Sequence, residues 1–208
     1  MTFGLPRDGF GFGKLIIDET GIARKRMFGT QRIEWSDVRE YWLRIEPANS
    51  ISGWGVLERI LDALDRWTPY GPTPPRHRLE LVGEFEKLVI DSSFANVELA
   101  IDEAMRRIGP RLLADARREL DRTRVVTFGD FGVRAEALQW QGREPIARDA
   151  VEALEIIDNT PLQVFVQQRG KARAYAHIPL QRIPNVLVAL ELAEQLGYRV
   201  RGRERLQL

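Results

Sequence analysis

Two segments far apart in the chain share one spacing of apolar positions. In NVELAIDEAMRRIG, residues 96–109, Val97, Ala100, Ile101, Ala104, Met105 and Ile108 fall at i, i+3, i+4, i+7, i+8 and i+11. That spacing lines them up along one stripe of a helix with 3.6 residues per turn. In NVLVALELAEQLG, residues 185–197, Val186, Ala189, Leu190 and Ala193 do the same. Ser92 or Ser93 is expected to cap the first helix. Gly109-Pro110 is expected to end it, with a second, more charged helix from Arg111 to Leu120. Gly197 ends the later helix.

Ahead of each helix the pattern suits strands. Leu15-Ile16-Ile17 is a short apolar run, Asp18-Glu19-Thr20-Gly21 has turn chemistry, and Ile22–Phe28 can pair back as a hairpin. Arg32–Trp35 and Val38–Ile45 follow, the latter rich in aromatic and branched residues. Arg78–Val82 and Phe85–Ile90 flank a turn at Gly83-Glu84. In the second half, Val125–Phe128, a strand opening at Gly132, a turn at Gln141-Gly142, Pro145–Ala147 and Ala150–Ile157 come in that order. Leu162, Val164 and Val166 then alternate, as do Ala172, Ala174, Ala176 and Ile178 beyond the turn at Gly170-Lys171.

Each half therefore runs strands, a hairpin and one closing amphipathic helix. Asn96-Val97 matches Asn185-Val186, and the strands after Asp37 and Asp149 occupy the same place in the order. The ordering points to an internal duplication, with units at 1–122 and 123–208. Residues 51–75 have no counterpart in the second half and read as a helical insertion. Within it Trp54, Leu57, Ile60, Leu61, Leu64 and Trp67 form an apolar face. Glu58, Arg59, Asp62, Asp65 and Arg66 line the opposite side with a net charge of −1.

Composition narrows the function classes. The 208 residues carry a net charge of +1, so no global field recruits nucleic acid or an anionic membrane. With no cysteine, disulfides, thiolate nucleophiles and cysteine-ligated metals are excluded. The beginning, MTFGLPRDGFGFGK, lacks the apolar run of a secretory signal, and no uninterrupted apolar stretch of about 18 residues occurs. A reduced cytoplasm is the expected compartment.

Candidate chemistry is sparse. Asp8-Gly-Phe-Gly-Phe-Gly-Lys14 departs from a phosphate-binding loop at both ends, having Asp8 in the first glycine position and Leu15 where Ser or Thr is needed. It reads as a flexible arm entering the first strand. The two histidines, His77 in a Pro/Arg-rich loop and His177 on a strand facing solvent or a polar partner on a neighbouring strand, have no metal-ligand spacing, so no zinc site is expected. Asp102, Glu103, Glu191 and Glu194 fall on solvent faces of the helices. No nucleophile elbow is present. No catalytic residue and no cofactor follow from these residues. The basic tail Arg199–Arg205 is a frayed terminus or a nucleic-acid contact, and it lacks the aromatics that stack on bases.

A few strands closed by one helix make an α+β unit, a bent antiparallel sheet or partly open barrel whose open end the helix plugs. On Asp18-Glu-Thr-Gly-Ile22, Ile33-Glu-Trp-Ser-Asp-Val38 and the closing helix Asn96–Gly109, the unit resembles a pleckstrin-homology-like (PH-like) domain. The pair resembles a bacterial group of tandem domains of this kind. The second half keeps Gly132-Val133 and Ile146–Ala150 but lacks the tryptophan. About six strands per half are countable, against seven in the family's barrel.

The resemblance implies a binding module rather than an enzyme. In eukaryotic members a lysine followed, after a spacer, by a basic triplet grips lipid phosphates between the first strands. Lys14 with Arg24, Lys25 and Arg26 matches loosely. Two surfaces are therefore expected. Trp54, Leu57, Ile60, Leu61, Leu64 and Trp67 either pack on their own barrel or the second domain, or offer an anchor to a protein partner or a second copy, in which case the chain would act as an adaptor or scaffold. The alternative is peripheral binding to anionic lipid through the Lys14/Arg24–Arg26 hairpin.

Overall fold

The computed structural model describes residues 2–4, 14–25, 29–46, 76–157, 163–171 and 173–206. The insertion at 51–75, the glycine-rich stretch 8–13 and Arg26 lie outside the described residues. The described residues form an α+β fold of several antiparallel sheets and two α-helices.

The first half begins with β1 (Thr2–Gly4), β2 (Lys14–Ile17), β3 (Gly21–Lys25) and β4 (Thr30–Glu34), joined in that order into one antiparallel sheet. A second antiparallel sheet holds β5 (Glu40–Glu46), β6 (Arg76–Val82) and β7 (Lys87–Asp91). Alternation sets the faces. Leu15, Ile17, Ile22 and Ile33 point into the core from the first sheet. Tyr41, Leu43, Leu79, Leu81, Leu88 and Ile90 do so from the second. The helix α1 (Val97–Thr123) follows and buries Val97, Ala100, Ile101, Ala104 and Ile108 along the expected stripe.

The second half repeats the order. β8 (Val126–Phe128), β9 (Phe131–Val133), β10 (Ala137–Trp140) and β11 (Ile146–Ala147) form a four-stranded antiparallel sheet. β12 (Val151–Ile157), β13 (Gln163–Gln168) and β14 (Ala176–Pro179) form the next, and α2 (Val186–Gln195) closes the series. Both helices start at an asparagine in the left-handed region, Asn96 at φ 56° and Asn185 at φ 52°. A short turn precedes each asparagine, with Phe94 N–H donating to Asp91 C=O and Ile183 N–H to Leu180 C=O.

Several expectations need correction. Pro110 does not end the first helix, and no separate helix begins at Arg111. α1 runs through as 27 residues because Ile108, Leu112 and Ala116 continue one buried stripe at four-residue spacing, while Pro110 faces solvent. A proline there removes one intrahelical bond, and the packed face outweighs it. Neither Ser92 nor Ser93 caps α1. Ser92 Oγ accepts the His77 N–H at 2.7 Å and Ser93 turns back to Asp91. Phe85 belongs to a turn, 91% exposed, and not to a strand. The strand expected from Gly132 is two strands, β9 and β10, joined by a turn at 134–136 that carries no glycine, asparagine or proline.

Among the described residues no sheet closes into a barrel. In the first half, side chains join the two sheets where a main-chain ladder is missing. Arg24 Nη1 donates to Val89 C=O at 3.1 Å, and Gln31 Nε2 donates to Lys87 C=O. In the second half Arg143 Nη1 donates to Tyr175 C=O at 2.6 Å and Tyr175 Oη to Glu144 C=O at 2.8 Å.

The free edges of β5 and β12 are both covered, by different means. The basic tail is not frayed. Val200–Arg201 forms β15, which pairs in parallel with β12, and Leu206 is buried beyond it. Gly202, at φ 74°, brings the chain so close that a Cβ would lie 2.6 Å from Ile156 O. The edge of β5 receives Asn185 instead. The buried apolar residues of both halves form one connected cluster, not two separate cores. α1 is long enough to close the first half with its beginning and pack against α2 with its end. Arg117 Nε donates to Gln195 Oε1 at 2.8 Å across that contact.

Candidate binding surfaces

Two of the segments that carry the resemblance, 18–22 and 33–38, meet around Asp18. Its carboxylate accepts the backbone N–H groups of Thr20 and Gly21, each at 2.9 Å, which fixes the β2–β3 turn. Arg32 donates to both carboxylate oxygens at 2.9 Å, and Trp35 Nε1 donates to Asp18 C=O at 3.0 Å. The Arg32 fork, then the Thr20 hydroxyl and backbone, hold the Asp18 carboxyl well below the usual carboxylate range. Gly21 is required here, since a Cβ would lie 2.4 Å from Ile33 O. Arg111 secures the next corner from α1, donating Nη2 to Trp35 C=O at 3.0 Å and to Val38 C=O. These residues shape the unit.

The basic hairpin is divided by strand alternation. Lys14 and Lys25 sit directly opposite each other across β2 and β3, both exposed on the outer face. Arg24 pairs with Leu15 and therefore turns toward the core side. Its guanidinium lies 5.0 Å from the Phe94 ring centroid and donates to Val89 C=O, while its buried Nε has no partner. The structure thus brings Lys14 and Lys25 together and sends Arg24 to a structural position. Arg26 and the six apolar residues Trp54, Leu57, Ile60, Leu61, Leu64 and Trp67 lie outside the described residues.

His77 is on β6 rather than in a loop. It faces inward, 7% exposed, with Nδ1 3.1 Å from Glu98 Oε1 of α1. His177 is exposed on β14 and meets the Phe165 ring edge-on at 4.3 Å. Asp102 is exposed as expected. Glu103 is covered instead, its side chain 11% exposed beneath Arg106 and Arg107. Among the described residues no group of three or more His, Asp and Glu side chains is placed to hold a metal ion, and no helix is long and apolar enough to cross a membrane.

Two surface features were missed by sequence reasoning. The first is a cleft of about 430 Å³ between the β4–β5 corner and the β6–β7 turn, lined by Arg32, Glu34, Asp37, Arg39, Glu84 and Phe85 among others. Arg39 pairs with Glu84, and Phe85 stands at the turn with nothing covering it. Its signal was present, an aromatic directly after the turn residues Gly83-Glu84, but strand alternation absorbed it. The second is a hollow of about 400 Å³ lined by Arg44, Arg76, His77, Arg78, Asp91, Ser92 and Ser93. Arg44 and Arg78 oppose each other in register on β5 and β6. Those arginines lie more than 30 residues apart in sequence, so no local pattern joins them.

Compared with protein-family models and with curated proteins, the chain matches none.

Proposed function

We propose that this chain is a non-catalytic binding protein, an adaptor or scaffold, built from two PH-like units in tandem at 1–122 and 123–208. Support for the fold reading is the order of four strands, three strands and one closing helix in each half, with a left-handed asparagine before each helix. Seven strands precede the first closing helix and seven precede the second, with β15 added after it, against the six per half countable in the sequence. The partner in this reading is a protein or a second copy, met in the cytoplasm.

The observation that carries the binding function is Phe85. Its ring is 91% exposed at the apex of a hairpin, beside a cleft of mixed charge, and in this reading it is the anchor that a partner buries. The apolar face of 51–75 is the second surface in this proposal. The test is capture of partners from the native host by wild type, Phe85→Ser and Leu57→Asp/Leu61→Asp, with sedimentation across a concentration series for self-association. Loss of a partner or of self-association in either variant, with folding retained, supports the reading. Identical behaviour of all three chains overturns it.

A second reading, peripheral binding to anionic lipid, draws on the opposed, exposed Lys14 and Lys25. Co-sedimentation with anionic vesicles that survives Lys14→Glu/Lys25→Glu would dismiss it.

A further inference from the structure

We propose that the outer face of β5 and β6 carries an anion site, formed by Arg44, Arg76 and Arg78, that takes a phosphate dianion. The proposal is independent of the partner-binding reading, since it uses neither Phe85 nor the 51–75 segment.

The face is set by the strand register. His77, Leu79 and Leu81 point into the core, so Arg76, Arg78 and Glu80 point out. Arg44 lies directly across from Arg78, and Arg78 in turn lies across from Asp91 on β7. Like charges placed directly opposite in a sheet repel and weaken the pairing. The neighbouring carboxylates offset that repulsion at Arg78 and leave Arg44 without an ion-pair partner among the described residues. Asp91 is engaged by Ser93, through both its N–H and its hydroxyl. Glu80 is taken by Lys87 and lies 3.7 Å from Arg78. Among the described residues no carboxylate is within ion-pair distance of Arg44 or Arg76.

Three guanidiniums therefore line one concavity of about 400 Å³ with Asp91 as the carboxylate in its lining, while Glu80 lies 3.7 Å from Arg78 beside it and Glu46 stands across from Arg76 in the ladder. Guanidinium forks match the tetrahedral oxygens of phosphate and can hold them in pairs. A dianion seated there would cancel the Arg44–Arg78 repulsion as well as form new bonds. The shared chemistry is a phosphate monoester or a polyphosphate, free or carried on a lipid headgroup.

The experiment uses the full chain, with inorganic pyrophosphate as the probe. Calorimetric titration and thermal unfolding compare wild type, Arg44→Gln/Arg78→Gln and a charge-matched control, Arg106→Gln/Arg118→Gln, on the exposed side of α1. Wild type and control are expected to bind saturably and to melt higher with the probe. The Arg44→Gln/Arg78→Gln chain is expected to bind about tenfold more weakly or worse. Without the probe it is expected to melt within a few degrees of wild type, since the Arg44–Arg78 repulsion and the exposed Arg78–Glu80 pair are lost together. Vesicles of phosphatidylcholine with phosphatidic acid separate the sources: co-sedimentation lost in the same variant assigns a lipid-borne phosphate, and pyrophosphate binding without vesicle binding assigns a soluble one. The absence of saturable pyrophosphate binding by wild type, or an equal loss in the control, overturns the proposal.

Discussion

Asn185 and Tyr41, 144 residues apart, exchange a pair of hydrogen bonds across the two halves of the chain. The Asn185 N–H donates to Tyr41 C=O at 2.8 Å, and Asn185 Oδ1 accepts the Tyr41 N–H at 2.8 Å. The Tyr41 hydroxyl completes the join by accepting the Leu187 N–H at 2.9 Å, one of the amides that the first turn of α2 leaves without a helical partner. Asn185 thus covers the edge of β5 as an added strand would. Its left-handed conformation aims both its backbone and its side chain at one residue.

Replacing Asn185 tests this join. Asn185→Ala removes the acceptor of the Tyr41 N–H and puts a less tolerant residue at positive φ. The expected loss is about 2–3 kcal/mol in chemical denaturation. Asn185→Asp keeps an acceptor and tolerates the left-handed region, so it is expected to lose less than about 1 kcal/mol. Equal losses would mean that the side chain does not carry the contact.

Alkaline pH provides a second test. Tyr41 is fully buried, and burial pushes its hydroxyl well above the usual tyrosine range. Burial also pushes Tyr198 up, to about 12, with its hydroxyl donating to Arg134 C=O at 3.1 Å. Both folded values exceed the unfolded value near 10. The unfolded chain therefore releases protons first, and stability present below about pH 10 falls as pH rises through 10 toward 12. Melting temperature should drop across that window. Tyr198→Phe should flatten the drop, and a slope unchanged by that substitution would remove Tyr198 from the account.

Pro110 allows a test of the continuous helix. At an exposed position inside an unbroken helix, Pro110→Ala restores an N–H and its hydrogen bond. After subtracting the entropy that proline removes from the unfolded chain, a gain of about 1–2 kcal/mol is expected. If the chain broke there into two helices, the same substitution would be neutral or destabilising in urea melts.

Local periodicity was a good guide wherever a face is buried. The apolar stripe Val97–Ile108 and the core-facing residues of β2, β3, β5 and β6 follow from spacing, because solvent selects one side of each element. The Pro110 ending failed because a local breaker was weighed without the stripe that continues to Leu112 and Ala116. β1 and β15 escaped notice because two or three residues hold too little pattern, and their strand character comes from the partner they lie against. The basic hairpin was legible as composition only. Which of Lys14, Arg24 and Lys25 face outward depends on register, and register belongs to the pair of strands.

The sequence alone determined most of the strands, the starts of the two closing helices and the absence of any cysteine chemistry. These are local or compositional properties, set by how each segment partitions its apolar residues. Only the tertiary structure decided that the halves share one core, that Asn185 seals the edge of β5, and that Arg44 and Arg78 stand opposed beside Arg76. Such relationships join residues distant in the chain, and their energies arise from packing and electrostatics that exist only once the chain has folded.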